Sequence, residues 1–366
     1  MQFLLESMRR RMSFTMSSSI LKYHGIHGSN SWTGTIEKIV KEDHSSKKPA
    51  LRNSLKEHNL CGNKYTKFYK IDALQADTII ENLQLPKIKS AAEGNAYINA
   101  YPNSLPSHIL DTLTGELFLV EKISNDHGIG LVFSSTTKFT KREKINLASL
   151  VKDSPEAIDL MNQYQDVIGL KFQSVQLFSV IWVSRGSSVV ETRIDLPDGM
   201  LTDIAHMMHS KLKAIINTWL NTPIENPINL YPLINKMYKD SNEGHVVDLA
   251  FSTTTASVKR ERMRRDSLDL REEAYHEAGK AGLVTEIEPF RISIRWVQGF
   301  PEGTVEIATK PELTLAGTSK GSTGTGSKFD ISAAGIKGCM GTADYHFVID
   351  RIHHHLSEIS DHENSA

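Results

Sequence analysis

The hydrophobic and polar positions of the chain follow two different periods. Across residues 201–220 apolar side chains recur every three or four positions, which predicts an amphipathic helix. Across residues 290–296 large apolar residues alternate with Arg291, Ser293 and Arg295, and this period of two predicts a strand with one covered and one polar face. Segments of both kinds follow one another along the chain, joined by Gly-containing turns. We therefore predict an α+β fold with largely antiparallel sheets.

Two segments of the chain are similar to each other. Residues 131–150 (LVFSSTTKFTKREKINLASL) align without gaps with residues 249–268 (LAFSTTTASVKRERMRRDSL), and ten of the twenty positions are identical. Further along, Trp182 and Trp296 stand at the same distance before a proline. We therefore predict two tandem, diverged strand-helix-hairpin units in which the two tryptophans superpose.

This similarity determines the predicted domain organisation. The predicted regions are a flexible or weakly structured N-terminal region at residues 1–63, a first α+β unit at 64–221, a second, repeated unit at 222–356 and a frayed tail at 357–366. Within the units we expect Phe133 to superpose on Phe251. We also expect helices near residues 154–167 and 259–278.

Composition and charge restrict the classes of function. The chain has 366 residues, of which 39% are hydrophobic and 23% charged, as in an ordinary globular protein with more than one core. The 42 basic residues nearly balance the 43 acidic ones, so any surface for nucleic acid has to be a local patch. Cys61 and Cys339 are too few for a disulfide framework, which favours a cytoplasmic location. No apolar run approaches the roughly 20 residues of a membrane-spanning helix.

The best functional candidate is the duplicated segment of hydroxyl and Lys-Arg-Glu residues. Clustered hydroxyls beside cations can hold anionic oxygens through hydrogen bonds and charge, and the second copy carries additional arginines. The predicted binding residues are Ser252, Thr254, Thr255, Lys259, Arg260, Arg262, Arg264 and Arg265. A nucleic-acid phosphate backbone fits such a patch, and a protein is the other expected partner. The alternative is that the two copies share these residues only because they pack alike.

Two enzymatic alternatives compete with a binding function. Residues 317–321 fit the G-x-S-x-G pattern of serine hydrolases with Ser319 as nucleophile, and Asp344 follows it in the required order. Against this, the nucleophile of that pattern has to lead into a helix, whereas a Gly/Ser-rich run follows here. The second alternative is a carboxylate-dependent nuclease that uses the acidic residues Glu191, Asp195 and Asp198. These alternatives leave open whether the protein is an enzyme.

Histidines occur in a run at residues 353–355 and as a pair at His206 and His209. Neighbouring residues of a helix point in different directions, and no carboxylates at the spacing of metal ligands accompany these histidines. We expect no metal, no cofactor and no membrane partner. The sequence therefore predicts a non-enzymatic binding or interaction protein whose partner is a protein or a nucleic acid.

Overall fold

The computed structural model describes residues 1–84, 92–145, 159, 163, 167–253, 257–265, 268–300, 307–318 and 329–364. The strands are β1 (Lys64–Lys70), β2 (Phe118–Asn125), β3 (Gly128–Ile145), β4 (Val167–Ser184), β5 (Val189–Asp195), β6 (His245–Ser252), β7 (Val258–Arg262), β8 (Glu288–Arg295), β9 (Gln298–Phe300), β10 (Ile307–Thr309), β11 (Glu312–Ala316) and β12 (Ala334–Lys337). The helices are α1 (Gln2–Arg11), α2 (Phe14–Tyr23), α3 (Trp32–Lys41), α4 (Lys48–Cys61), α5 (Ala73–Gln84), α6 (Ala92–Ala100), α7 (Ser107–Leu110), α8 (Thr202–Asn217), α9 (Tyr231–Lys239), α10 (Ala274–Ala281) and α11 (Thr342–Asn364).

Ten of these strands form a single sheet with the order β2-β3-β4-β5-β1-β12-β11-β8-β6-β7, and β9 pairs with β10 separately. The neighbouring strands are antiparallel throughout. The predicted α+β class with antiparallel pairing is therefore confirmed. We call β2, β3, β4, β5 and β1 the first half of the sheet and β12, β11, β8, β6 and β7 the second half. The predicted boundary at residues 221/222 lies between β5 and β6, which belong to this same sheet.

The two faces of the sheet are packed differently in its two halves. In the first half, one face packs against α5 and α8 through a group of residues that includes Leu131, Ile181 and Leu212, which we call the α8 cluster. The opposite face of both halves packs against α9 and α11 through the central cluster, to which Ile292 and Leu313 of the second half contribute. Among the described residues, no strand of the second half contributes to the α8 cluster. Within the described part of the chain, apolar packing therefore covers the second half on one face only.

The N-terminal helices α1 to α4 contradict the expectation of a flexible or weakly structured region at residues 1–63. Their apolar side chains form a third cluster together with Met340, and Leu5, Met8 and Leu51 within it are fully buried. The polar composition of this region comes from the solvent-facing sides of short amphipathic helices.

One predicted helix and the predicted tail differ from the structure. The helix expected near residues 259–278 is wrong, because β7 and a short 3-10 turn precede α10 there. The helix expected near residues 154–167 lies almost entirely outside the described residues, and β4 begins at Val167. The tail expected to fray from residue 357 is helical as far as Asn364. In the described part of the chain, no helix combines the length and apolar composition that crossing a membrane requires.

The structure does not confirm the predicted duplication. The segment at residues 131–150 continues straight along β3 as far as Ile145, paired with β4. The aligned segment instead leaves β6 at Ser252 and returns as β7, which pairs antiparallel with β6. Of the two pairs of side chains that were expected to superpose, only one pair belongs to a single cluster. Phe133 belongs to the α8 cluster and Phe251 to the central cluster, whereas both tryptophans belong to the central cluster.

Candidate functional site

The polar face of the second half of the sheet carries five cations, and we call it the cationic face. Apolar residues of β8, β11 and β12 enter the central cluster, and the residues between them lie on the opposite face. The cations of that face are Arg260 and Arg262 of β7, Arg291 and Arg295 of β8, and Lys337 of β12. The side chains of Arg260 and Lys337 are 54% and 50% exposed, so this face is open to solvent.

Asp248 holds two of these arginines. Its carboxylate accepts two hydrogen bonds from Arg260, from Nε to Oδ1 at 3.0 Å and from Nη2 to Oδ2 at 2.7 Å, and one from Arg291 Nε at 3.2 Å. The Asp248 side chain itself is nearly buried. Burial alone would raise the pKa of Asp248, but the hydrogen bond from Arg260 and the charges of both arginines lower that pKa below its ordinary value. The carboxylate is therefore ionised at neutral pH.

Glu312 repeats this arrangement at the other end of β8. Its Oε2 accepts hydrogen bonds from Arg295 Nε at 3.0 Å and from Arg295 Nη2 at 2.6 Å, and Lys337 Nζ lies 3.0 Å from Oε1. The Glu312 side chain is nearly buried, whereas that of Arg295 is 20% exposed. Each carboxylate thus lies beneath two cations, and each group of three keeps one positive charge in excess.

Small side chains separate these two charged groups. Ser293 and Thr314 lie opposite each other on β8 and β11 and share a hydrogen bond of 2.8 Å. Gly335 lies opposite Thr314 on the next strand, and Ala316 lies opposite Arg291. The surface between the two charged groups is therefore formed by small side chains.

The chain matches no family model, no curated protein and no solved structure. Because a fold by itself does not determine function, the function has to be argued from the geometry and chemistry of the site. The cationic face offers guanidinium and ammonium groups in fixed positions, with a local excess of positive charge.

Three of the predicted binding residues lie on β7, and two of them contribute to the cationic face. Arg260 and Arg262 lie on that face, whereas Lys259 pairs with Phe251 and lies on the opposite side of β7. The prediction assumed that these residues enter a helix, which would have spread them around its axis. The strand instead places alternate residues together.

The other predicted binding residues lie outside the cationic face as the structure describes it. Arg264 and Arg265 are exposed just beyond the end of β7. Ser252 is buried at the end of β6. Thr254 and Thr255 lie outside the described residues, so the hydroxyl part of the anion site stays a prediction.

Three cations of the face were missed as binding residues. The sequence contains a clear signal for Arg291 and Arg295, since both alternate with apolar residues and are therefore expected on one polar face of a strand. Lys337 carries none, because a long Gly/Ser-rich segment separates β12 from β11 in the chain. Only the pairing of strands places Lys337 beside Glu312.

The first copy of the duplicated segment forms a different kind of surface. Beyond the residues that pair with β2 and β5, strands β3 and β4 continue as a two-stranded arm. On one face of this arm Arg142 lies opposite Leu170, and Thr140 lies opposite Phe172. Leu170 and Phe172 are 65% and 83% exposed. The arm therefore presents cations mixed with large apolar side chains.

Two of the three carboxylates considered for a nuclease are already paired with cations, whereas the third, Asp198, is exposed. Asp195 lies 2.6 Å from both Lys64 Nζ and Arg11 Nη2, and Glu191 lies 2.9 Å from Arg193 Nε. The side chains in these contacts are buried. Since Asp195 and Glu191 have their counter-charges within the fold, these two residues serve the packing of the first half.

The serine-hydrolase alternative rests on a residue outside the described part of the chain, Ser319. Asp344, its expected partner, accepts hydrogen bonds from Met340 N at 2.7 Å and from Thr309 Oγ1 at 2.8 Å. These contacts fix the beginning of α11.

One group of described residues has the spacing of metal ligands. Ligand atoms of Asp240, Glu243 and His355 lie within 4.8 Å of one another. Glu243 already accepts hydrogen bonds from Trp296 Nε1 at 3.0 Å and from Arg351 Nε at 2.6 Å, and His355 Nε2 lies 2.7 Å away. Burial alone would raise the pKa of Glu243, but these contacts with His355 and Arg351 lower it to about 2. Because the guanidinium of Arg351 already occupies this position, the group connects α11 to the sheet and disfavours the binding of a metal cation.

Proposed function

We propose that the protein binds nucleic acid through the phosphate backbone, with the cationic face as the contact surface, and that it acts without catalysing a reaction. The observation that supports this most is the pairing of four cations on two nearly buried carboxylates, Asp248 and Glu312. The carboxylates fix the positions of the cations, and the N–H groups that face solvent stay available to phosphate oxygens.

A phosphate backbone fits this surface better than a protein partner does. Arg291 and Arg295 are four residues apart on one strand, which corresponds to about 13 Å, and β7 and β12 extend the charge to either side. Such an array matches a polymer with regularly repeated negative charge. The anchors of protein interfaces are mostly Trp, Tyr and Arg side chains, and this face, as the structure describes it, offers arginines with only small residues between them, so it lacks the aromatic anchors. Because phosphate contacts carry no sequence information, we expect binding without sequence preference.

Fluorescence anisotropy with labelled single-stranded and duplex oligonucleotides at low salt tests this proposal. The combined variant Arg260→Gln, Arg262→Gln, Lys337→Gln should lower the affinity at least about 100-fold, because hydrogen bonds between charged groups each contribute about 1.5–3 kcal/mol. A matched variant removes the same number of charges from the arm: Lys138→Gln, Arg142→Gln, Lys144→Gln. It should lower the affinity by less than about threefold, an effect of general charge alone.

Two outcomes contradict the proposal. One is that the wild-type protein binds none of the oligonucleotides at low salt. The other is that both triple variants lose affinity equally. Melting temperatures of the two variants provide the control for folding.

A further inference from the structure

A cleft lies between the N-terminal helices and the end of the second half of the sheet. Its volume is about 780 Å³. Residues at the junction of α1 and α2 form one wall, residues 173–176 of β4 lie along it, and the ends of β8 and β12 with Lys310 form the other wall. Pockets that hold small molecules have volumes of about 300–1,000 Å³.

The cleft is cationic although the whole chain is nearly neutral. Six cationic side chains line it, against three carboxylates: Arg9, Arg10, Arg11, Arg295, Lys310 and Lys337, and Glu6, Asp198 and Glu312. The neighbouring His58 adds no charge at neutral pH, because burial and the charge of Arg11 lower its pKa to about 4.

The arginines of the cleft differ in what holds them. Arg11 is committed to the fold, since its guanidinium donates to the Gln176 carbonyl at 3.2 Å and contacts Asp195 at 2.6 Å. Arg10 is exposed and donates to the backbone carbonyl of Ser104 at 3.2 Å. That partner is neutral, so this contact leaves the charge of Arg10 in the cleft uncompensated.

Polar and apolar groups complete the lining. Ser13 caps α2 by accepting a hydrogen bond from Met16 N at 3.2 Å, and both residues border the cleft, which places the positive end of the α2 dipole there. Ser104 also lines the cleft, is 2% exposed, and its hydroxyl has no hydrogen-bond partner within the described part of the chain. Met12 and Leu105 add apolar surface.

We infer that this cleft is a second binding site, which takes a phosphorylated small molecule of about the size of a nucleotide. The phosphate lies beside Arg10, Lys310 and the beginning of α2, where charge and the helix dipole act together. The remainder of the ligand packs against Met12 and Leu105. Arg295 and Lys337 line the cleft and also belong to the cationic face, whereas Arg10 and Lys310 lie outside that face. Because the phosphate site is assigned to Arg10 and Lys310, the inference does not rest on nucleic-acid binding by the cationic face.

Isothermal titration calorimetry with pyrophosphate and with ATP as probes tests the inference. We expect saturable binding of at least one probe by the wild-type protein. Arg10→Gln and Lys310→Gln should each weaken it about tenfold or more, the usual contribution of a charged hydrogen bond. The matched control Arg260→Gln removes a cation of the cationic face and should leave the affinity within about twofold.

Lys310→Gln is a second variant at an exposed residue that is not part of the contact between Arg10 and Ser104, and the melting temperature of each variant controls for a folding defect. The inference is overturned if neither probe binds, or if Arg260→Gln weakens binding as much as Arg10→Gln does. Oligonucleotide binding by the Arg10→Gln protein is measured in parallel and should equal that of the wild type. Loss of one activity without the other thus identifies which of the two proposals fails.

Discussion

Strands β5 and β8 carry similar patterns in opposite surroundings. On β5, the charged residues Glu191, Arg193 and Asp195 occupy alternate positions, and each is at most 2% exposed. On β8, Arg291 and Arg295 alternate in the same way, yet their side chains are 27% and 20% exposed. The difference arises because the charged residues of β5 lie on the face of the central cluster, where Arg193 contacts the rings of Trp182 and Tyr345. Those of β8 lie on the opposite face, which no apolar cluster of the described residues covers in the second half. Alternation thus predicts which residues share a face, but the packing partner decides whether that face serves the fold or a ligand.

In the two aligned segments, the path of the strand also depends on the strand with which it pairs. β4 pairs with β3 as far as Ile145. β8 begins at Glu288, which pairs with Ser252, and there β6 ends. The chain then turns and β7 pairs with β6 on its other side. The length of the neighbouring strand, rather than the shared sequence pattern, decides between a straight strand and a hairpin.

Removal of a buried carboxylate from the first half should have the largest effect on stability. In Asp195→Ala, Lys64 and Arg11 lose a partner at 2.6 Å, and leaving buried charges unpaired costs about 3–5 kcal/mol. Asp248→Ala is the matched change in the second half, where Arg260 stays in contact with solvent, and it should cost about 1 kcal/mol or less. Urea unfolding measures both free energies. Equal losses would contradict the distinction between the two halves.

Acid should destabilise the protein through His58, a buried residue of α4 whose Nε2 lies 3.3 Å from the carbonyl oxygen of Arg11. Burial, together with the charge of Arg11, lowers the pKa of His58 from 6.5 to about 4 in the folded protein. Between these pH values the unfolded chain binds a proton that the folded chain does not, so stability is lost as the pH falls from 6.5 toward 4. The expected contribution is roughly 3 kcal/mol between pH 7 and pH 4.

Urea unfolding of His58→Gln at both pH values checks this expectation. The variant should lose less stability on acidification than the wild type does. His108→Gln, which changes an exposed histidine, should behave like the wild type. If His58→Gln keeps the full acid sensitivity, another group is responsible.

Two glycines test the feature that the halves of the sheet do share, a tryptophan packed on a neighbouring glycine. A Cβ atom added to Gly130 would lie 2.6 Å from the Trp182 ring, and one added to Gly244 would lie 2.6 Å from the Trp296 ring. Overpacking of this kind costs about 1–3 kcal/mol, so Gly130→Ala and Gly244→Ala should both lower the melting temperature. Gly299→Ala, with open space around the new atom, is the control. A lower melting temperature in only one of the two variants would show that the surroundings of the two tryptophans are not equivalent.

The sequence predicts elements and faces better than it predicts the assembly of the site. The helical period at residues 201–220 corresponds to α8, and the alternation at residues 290–296 corresponds to β8. The charged stretch after residue 258 was misinterpreted as a helix, because its strand depends on folding back along β6. Arg260 and Lys337 come from strands far apart in the chain. Their positions on one face follow from the register of strand pairing, which no local pattern encodes.

The salt dependence of oligonucleotide binding tests the central claim, that the cationic face contacts phosphates, most directly. The logarithm of the association constant is measured against the logarithm of the salt concentration for the wild type and for the Arg260→Gln, Arg262→Gln, Lys337→Gln variant. Five phosphate contacts give a slope of about −4 for the wild type, and the variant should have a slope smaller in magnitude by about 2 to 3 units. A slope that is the same in both proteins would contradict the claim.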